Sequence, residues 1–217
     1  MDDLNASQGL IASEMKENTD SLDVSLRPKL LNDYIGQGEL KTELRISIEA
    51  CKKRQESLDH VLLFGPPGLG KTTLATVIAN ELESDIKVTN GSSLVRTGDL
   101  AAILSSLHPG DVLFIDEIHR MPIVVQEVLY SAMEDYALSI IVGKGSEARA
   151  LNIPLVPFTL VGATTDAGNL SAPLRDRFGI LLQMRYYSPD ELFEIIMRTS
   201  KALHSPINPD AAYQLSL

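Results

Sequence analysis

The 217-residue sequence contains no tryptophan, one cysteine, and few aromatic residues, which make up 5% of the chain. A lone thiol, Cys51, makes no intramolecular disulfide and cannot supply a multi-thiolate zinc site. It reads as an ordinary helix residue. His60, His108, His119 and His204 lack the close spacing of a histidine metal site, so no transition metal is assigned. Long apolar runs are missing as well. Stretches such as Val61–Phe64 and Val112–Ile115 fall far short of the roughly 20 residues that cross a bilayer, and the first 24 residues are acidic rather than signal-peptide-like. The expectation is a cytoplasmic chain with no membrane partner. Basic residues are also in deficit. A net charge of −10 argues against a surface that binds nucleic acid everywhere, because phosphate contacts need clustered Lys and Arg. Residues 1–25 carry half of that charge and read as an acidic, disordered segment.

The hydrophobic residues, 44% of the chain, suffice for one good core and the beginning of a second. From Leu40 onward, short apolar runs alternate with segments of helical period, the pattern of an α/β fold with a parallel sheet. Five strands are predicted: Val61–Phe64, Ile86–Thr89, Val112–Ile115, Phe158–Ala163 and Ile180–Met184. The continuous apolarity of several suits strands covered on both faces. Asp99 is expected to cap a helix over Leu100–Leu107 that stops at Pro109-Gly110. Residues 137–153 break the rhythm, because two strand-like runs flank Gly143-Lys144-Gly145-Ser146, and an inserted β-hairpin is predicted there. After Met184, Ser188-Pro189-Asp190-Glu191 reads as a helix start. The expected organisation is therefore a large domain over residues 26–186 and the beginning of a helical domain over 187–217.

Gly65-Pro66-Pro67-Gly68-Leu69-Gly70-Lys71-Thr72 satisfies G-x-x-x-x-G-K-[ST] between an apolar strand and a helix, and Thr73 follows. Backbone N–H groups in such a loop converge on phosphates, and the helix N-terminus reinforces them. Lys71 would reach the β- and γ-phosphates of ATP, and Thr72 would ligate Mg²⁺. Asp116-Glu117 follows four apolar residues and so arrives at the carboxyl end of a buried strand, where open α/β sheets place their ligands. Asp116 suits Mg²⁺, and Glu117 suits the general base that deprotonates the attacking water. Thr164 and Thr165 end the next predicted strand, and either hydroxyl can sense the γ-phosphate. Arg175 and Arg177 supply candidate contacts to transition-state charge, with an ion pair to Asp176 as the plain alternative.

Arg27–Gln37, Gly65–Thr73, Asp111–Arg120, Ala132–Tyr136, Gly162–Thr165 and Leu174–Gly179 together resemble, in order, the motifs of the RuvB family of AAA+ ATPases. The resemblance covers Leu26 to about Tyr187. Met133-Glu134-Asp135-Tyr136 with the hairpin after it separates this family from clamp-loader-like ATPases and protein remodellers, which share the phosphate motifs. The resemblance implies an AAA+ P-loop fold with a five-stranded parallel sheet flanked by helices, the inserted hairpin and the start of a helical lid. It implies an adenine pocket from Leu26, Arg27, Tyr34 and Ile35, with Tyr187 and Glu134, Asp135 and Tyr136 near the nucleotide. It makes Arg177 an arginine finger acting on a neighbouring subunit, and the hairpin a docking element for RuvA. A hexameric ring around duplex DNA, branch migration of Holliday junctions and association with RuvC in the resolution complex are implied too. Asp166 stands where this family commonly has a basic residue. The resemblance further implies that most of the lid and a winged-helix DNA-binding domain are missing, and an inactive nucleotide-binding fragment is the competing expectation.

Overall fold

The computed structural model describes residues 26–142 and 149–217. The acidic segment 1–25 and the expected hairpin turn at Gly143–Ser146 lie outside the described residues. The chain divides into two compact units, Leu30–Tyr186 and a smaller one that includes Tyr187–Leu217.

In the larger unit, α1 (Gly38–Arg54) precedes β1 (Val61–Phe64), α2 (Lys71–Glu81), β2 (Ile86–Asn90) and α3 (Thr97–Leu104). After these come β3 (Val112–Asp116), α4 (Ile123–Asp135), the pair β4 (Ala137–Val142) and β5 (Arg149–Pro154), β6 (Thr159–Thr164), α5 (Ala172–Arg175) and β7 (Ile180–Gln183). The five predicted strands form one parallel sheet in the order β2-β3-β6-β1-β7. β4 and β5 pair antiparallel as a separate two-stranded sheet, the expected hairpin.

The apolar runs became strands because the sheet is covered. Val61, Leu62 and Leu63 of β1, Val112–Ile115 of β3 and all of β6 are buried. Leu74, Val77 and Ile78 of α2 and Val125, Leu129 and Ala132 of α4 are likewise at most 1% exposed, the helical period that burial of one face requires. β7 departs from the prediction. Its burial alternates, with Leu181 and Gln183 exposed, because it is an edge strand.

Several boundaries need correction: β2 and β3 each run one residue further, to Asn90 and Asp116, and β7 stops one residue earlier, at Gln183. β6 runs Thr159–Thr164 rather than Phe158–Ala163, since pairing with β1 continues to Phe64 opposite Thr164. Helix α3 begins earlier and ends earlier than Leu100–Leu107. Asp99 lies in its first turn and accepts the Arg96 N–H at 2.8 Å, the reach-back half of a capping box, rather than standing at the N-cap. Beyond Leu104 the chain turns so that Leu107 enters the core, and Asp111 accepts the His108 N–H at 2.8 Å.

The smaller unit contains α6 (Pro189–Ala202) and α7 (Pro209–Ser216). Ser188 and Glu191 form the capping box that the sequence announces, with N–H to oxygen distances of 2.7 and 3.3 Å. Asn208 caps α7 by a single side-chain bond, accepting the Asp210 N–H at 2.8 Å. Phe193 and Tyr213 pack edge-on at 6.5 Å between ring centroids, joining the two helices. Among the described residues no helix is long and apolar enough to cross a membrane.

Candidate active site

Sheet register builds the site. Phe64 lies opposite Thr164, Ile115 opposite Gly162, and Asn90 opposite Asp116, so the carboxyl ends of β1, β2, β3 and β6 share one edge. The chain leaves β1 through Gly65, whose φ of +145° and position against Met184 both demand glycine, since an added Cβ would lie 2.5 Å from the Met184 carbonyl oxygen. Gly68 and Gly70 are left-handed, and α2 starts at Lys71. The first turn of α2 therefore leaves N–H groups without intrahelical partners facing into the loop, as an anion cradle requires.

Lys71 is buried and its ammonium donates to the carbonyls of Gly65 and Pro66 at 2.9 and 2.7 Å. Burial lowers its pKa, while the carboxylates of Asp116 and Glu117 oppose that shift. Both acids are thus electrostatically coupled to the P-loop lysine. Asp116 accepts the Glu117 N–H at 3.0 Å. Glu117 itself adopts a left-handed backbone (φ 47°, ψ 46°), which costs a non-glycine residue about 1 kcal/mol or more and marks functional turns. Its neighbour Gly91 makes that turn fit: a Cβ there would stand 2.4 Å from the Glu117 carbonyl oxygen.

The two threonines separate clearly. Thr164 is fully buried, whereas Thr165 is exposed and its hydroxyl donates to Glu117 Oε2 at 3.3 Å. Thr165 is the one presented beside the candidate base. Asp166 makes local contacts only, donating its N–H to Thr164 Oγ1 at 2.9 Å and accepting Asn169 Nδ2 at 2.6 Å.

Tyr34 is buried, and its hydroxyl donates to the Leu69 carbonyl of the P-loop at 3.3 Å, with Ile35 half-buried next to it. Leu26, Arg27 and Tyr187 belong to the smaller unit, where Leu26 and Tyr187 are half-buried and Arg27 is exposed.

The arginines occupy the other end of the sheet. Ile180 donates to the His60 carbonyl at the start of β1, so Arg177, three residues earlier, precedes the strand that runs beside β1. At about 3.3 Å per residue, the length of β1 puts roughly 10 Å of strand between that end and the P-loop. Arg175 pairs with Asp176 at 3.7 Å, an exposed contact of small energetic weight. Arg177 instead forms an ion pair with Glu134, donates to the Tyr130 hydroxyl at 2.9 Å, and lies 4.9 Å from the Tyr130 ring centroid. Asp135 ends α4, and Tyr136 packs against Phe158 and His60 at 5.9 and 6.3 Å between ring centroids. Within one subunit, then, Glu134 and Tyr136 keep company with Arg177 and the amino-terminal strand edge, not with the P-loop.

The sequence reading missed Gly91, His119 and Tyr130. Spacing offered a signal for the last, since Tyr130 and Glu134 are four apart on α4 and share a face.

A five-stranded parallel sheet bearing this loop and this acidic pair defines a P-loop nucleotide-binding domain. The family model for the Holliday junction DNA helicase RuvB P-loop domain matches residues 26–184, and the chain belongs to that family. It is 56% identical over 216 residues to the Holliday junction branch migration complex subunit RuvB of Lactobacillus gasseri, covering 100% of this chain and 64% of that protein. With the subunit of the same name from Staphylococcus saprophyticus it shares 58% over 207 residues, 95% of this chain and 62% of the relative. Among solved structures it is similar to the Thermotoga maritima RuvB Holliday junction branch migration motor, with a TM-score of 0.78 and 52% identity over 88% of this chain and 59% of that one. The chain thus spans less than two thirds of the length of these relatives.

Proposed function

We propose that this chain is the ATP-hydrolysing core of a cytoplasmic motor subunit that drives branch migration of Holliday junctions in recombination and repair. The observation that carries the reading is the register that puts the P-loop, Asp116-Glu117 and Thr164-Thr165 on one sheet edge. Loop amides from Gly65 to Thr73 hold the phosphates of ATP, and Lys71 swings from its carbonyl partners to the β- and γ-phosphates. Thr72 and Asp116 offer hard oxygen donors that suit Mg²⁺. The ion would neutralise charge on the β- and γ-phosphate oxygens. Glu117 takes the proton of the attacking water, and Thr165 contacts the γ-phosphate.

Tyr34 and Ile35, beside the P-loop in the larger unit, contact the adenine. Arg177 works on the ATP of the next subunit, a role that its distance from its own P-loop favours. Glu134, Asp135 and Tyr136 then approach that same neighbouring nucleotide. The wider assembly is a hexameric ring on duplex DNA, docked to RuvA through the β4–β5 hairpin and meeting RuvC in the resolution complex.

The test is Glu117→Gln in the full-length protein. ATP binding should persist, because the amide keeps the shape, while hydrolysis falls about 10²-fold or more. Unchanged turnover by a folded variant removes Glu117 as the base. Loss of ATPase stimulation by RuvA and junction DNA in the wild type would remove the branch-migration assignment.

A further inference from the structure

One side chain at the hydrolytic edge has no part in the roles proposed above. His119 follows Glu117 by two residues in the turn after β3, with its side chain only 15% exposed. Its Nδ1 lies 2.8 Å from Thr164 Oγ1 and 3.3 Å from Glu117 Oε2. Thr164 is wholly buried in β6, and its oxygen is further fixed by the Asp166 N–H at 2.9 Å. Thr165 reaches the same carboxylate oxygen, Glu117 Oε2, at 3.3 Å.

We infer that His119 is a positioning residue for hydrolysis, which braces the Glu117 carboxylate against Thr164 of β6 so that Oε1 is presented to the attacking water. The inference rests on the general-base reading of Glu117. The tautomer follows from the surroundings. A bare Nδ1 lone pair would face a carboxylate oxygen at 3.3 Å, whereas an Nδ1–H donates to Thr164 Oγ1 at 2.8 Å and is attracted by that carboxylate, so the Nδ1–H tautomer is favoured. The Thr165 hydroxyl donates to Oε2, and the Nδ1–H of the imidazole, held on Thr164, faces the same oxygen. Oε1 is left as the oxygen that accepts the proton. Thr164 is too buried to touch a phosphate, and its hydroxyl serves as the fixed end of the brace. A carboxylate at the tip of a left-handed turn gains from such support, because bases held by a second layer of hydrogen bonds lose less rate to misorientation.

The experiment measures steady-state ATPase and fluorescent-ATP affinity on the full-length assembled protein. Its variants are His119→Ala, His119→Asn, Thr164→Val, the double variant His119→Ala/Thr164→Val, and Glu117→Gln as reference. His119→Ala should lower kcat about 10-fold or more while nucleotide affinity and KM stay within roughly twofold. His119→Asn can place an amide N–H near the Nδ1 position and should recover much of the lost rate. Thr164→Val, nearly isosteric, should reduce kcat several-fold alone and add little to His119→Ala, since both remove the same brace. Wild-type kcat in His119→Ala overturns the inference, and so does equal failure of the Ala and Asn variants in rate, affinity and melting temperature together. If His119→Ala does not fold, Thr164→Val decides, and an unchanged kcat overturns the brace. Should Glu117→Gln itself keep full turnover, the general-base reading fails, a result distinct from failure of His119 alone.

Discussion

Gly91→Ala tests whether the geometry around Glu117 matters to chemistry. The added methyl would sit 2.4 Å from the Glu117 carbonyl oxygen, 3.1 Å from its carbonyl carbon and 3.2 Å from the Ile118 Cα. All three are backbone atoms, so no side-chain rotation relieves the contact. To reach the 3.0 Å that real Cβ atoms observe as a floor, the turns after β2 and β3 must part by about 0.6 Å. That displacement falls on the residue proposed as general base. A misplacement of ~1 Å costs about 10²-fold in rate, so Gly91→Ala should lower kcat by roughly 10- to 100-fold.

Stability is the weaker readout. Overpacking costs about 1–3 kcal/mol, but replacing glycine lowers unfolded-state entropy and returns about 0.4–1 kcal/mol. The net, about 0 to 2.6 kcal/mol, overlaps the roughly 1.4–2.7 kcal/mol that a 10- to 100-fold rate loss represents, so stability alone does not discriminate. ATPase of the full-length protein is therefore the deciding assay, with nucleotide affinity and urea midpoint as companions. Gly98→Ala is the matched control, since its Cβ meets nothing within 4 Å in the first turn of α3. The reasoning is refuted if folded Gly91→Ala turns over within about twofold of both wild type and Gly98→Ala, because the predicted 10-fold loss would be absent.

His60 supplies a pH prediction. Burial lowers its pKa below 6.5, its Nδ1 accepts the Leu160 N–H at 2.9 Å, and its Nε2 faces the Met133 carbonyl at 3.3 Å, which fixes a neutral ring. Below pH 6.5 the unfolded chain binds a proton that the folded chain resists, so stability is complete above 6.5 and falls as pH drops toward the lowered value. Urea midpoints from pH 8 to 5.5 should show wild type losing more stability than His60→Gln, with a differential slope of at most about 1.4 kcal/mol per pH unit, and parallel profiles would count against the neutral ring. For Arg177, subunits carrying Arg177→Ala and subunits carrying Lys71→Ala should each be inactive alone yet recover some ATPase in mixed rings. No recovery, with hybrid rings verified by mass and wild-type mixtures active, means the arginine does not act across subunits.

The buried strands were legible because β1, β3 and β6 are covered on both faces, so their sequences are nearly unbroken apolar runs. The P-loop and Asp116-Glu117 were legible because each is contiguous and sits where a strand ends. What sequence hid is what the register assembles. Thr164 and His119 are 45 positions apart and meet only because β6 pairs beside β3. Gly91 looks like an ordinary turn glycine until the turn after β3 is packed against it. Adjacency accounts for one of the two arginines only: Asp176 stands between both and Arg175 takes it, while Arg177 faces α4 and finds Glu134.

That last difference separates the two strand ends by function. The carboxyl edge holds phosphate loop, acids and threonines, while the amino edge holds Arg177 against Glu134 and Tyr130. On the proposed reading each edge is half of a hydrolytic site, and a ring brings the amino edge of one subunit to the carboxyl edge of the next. Arg177 then has to exchange a carboxylate and a phenol for phosphate oxygens, so Glu134 competes with the γ-phosphate for the same guanidinium. Both are anionic acceptors for one planar fork, and only the phosphate gains charge in the transition state. On that reading the arginine would be held most tightly where hydrolysis is under way, and would return to Glu134 and Tyr130 of its own helix once the neighbouring nucleotide has lost its terminal phosphate.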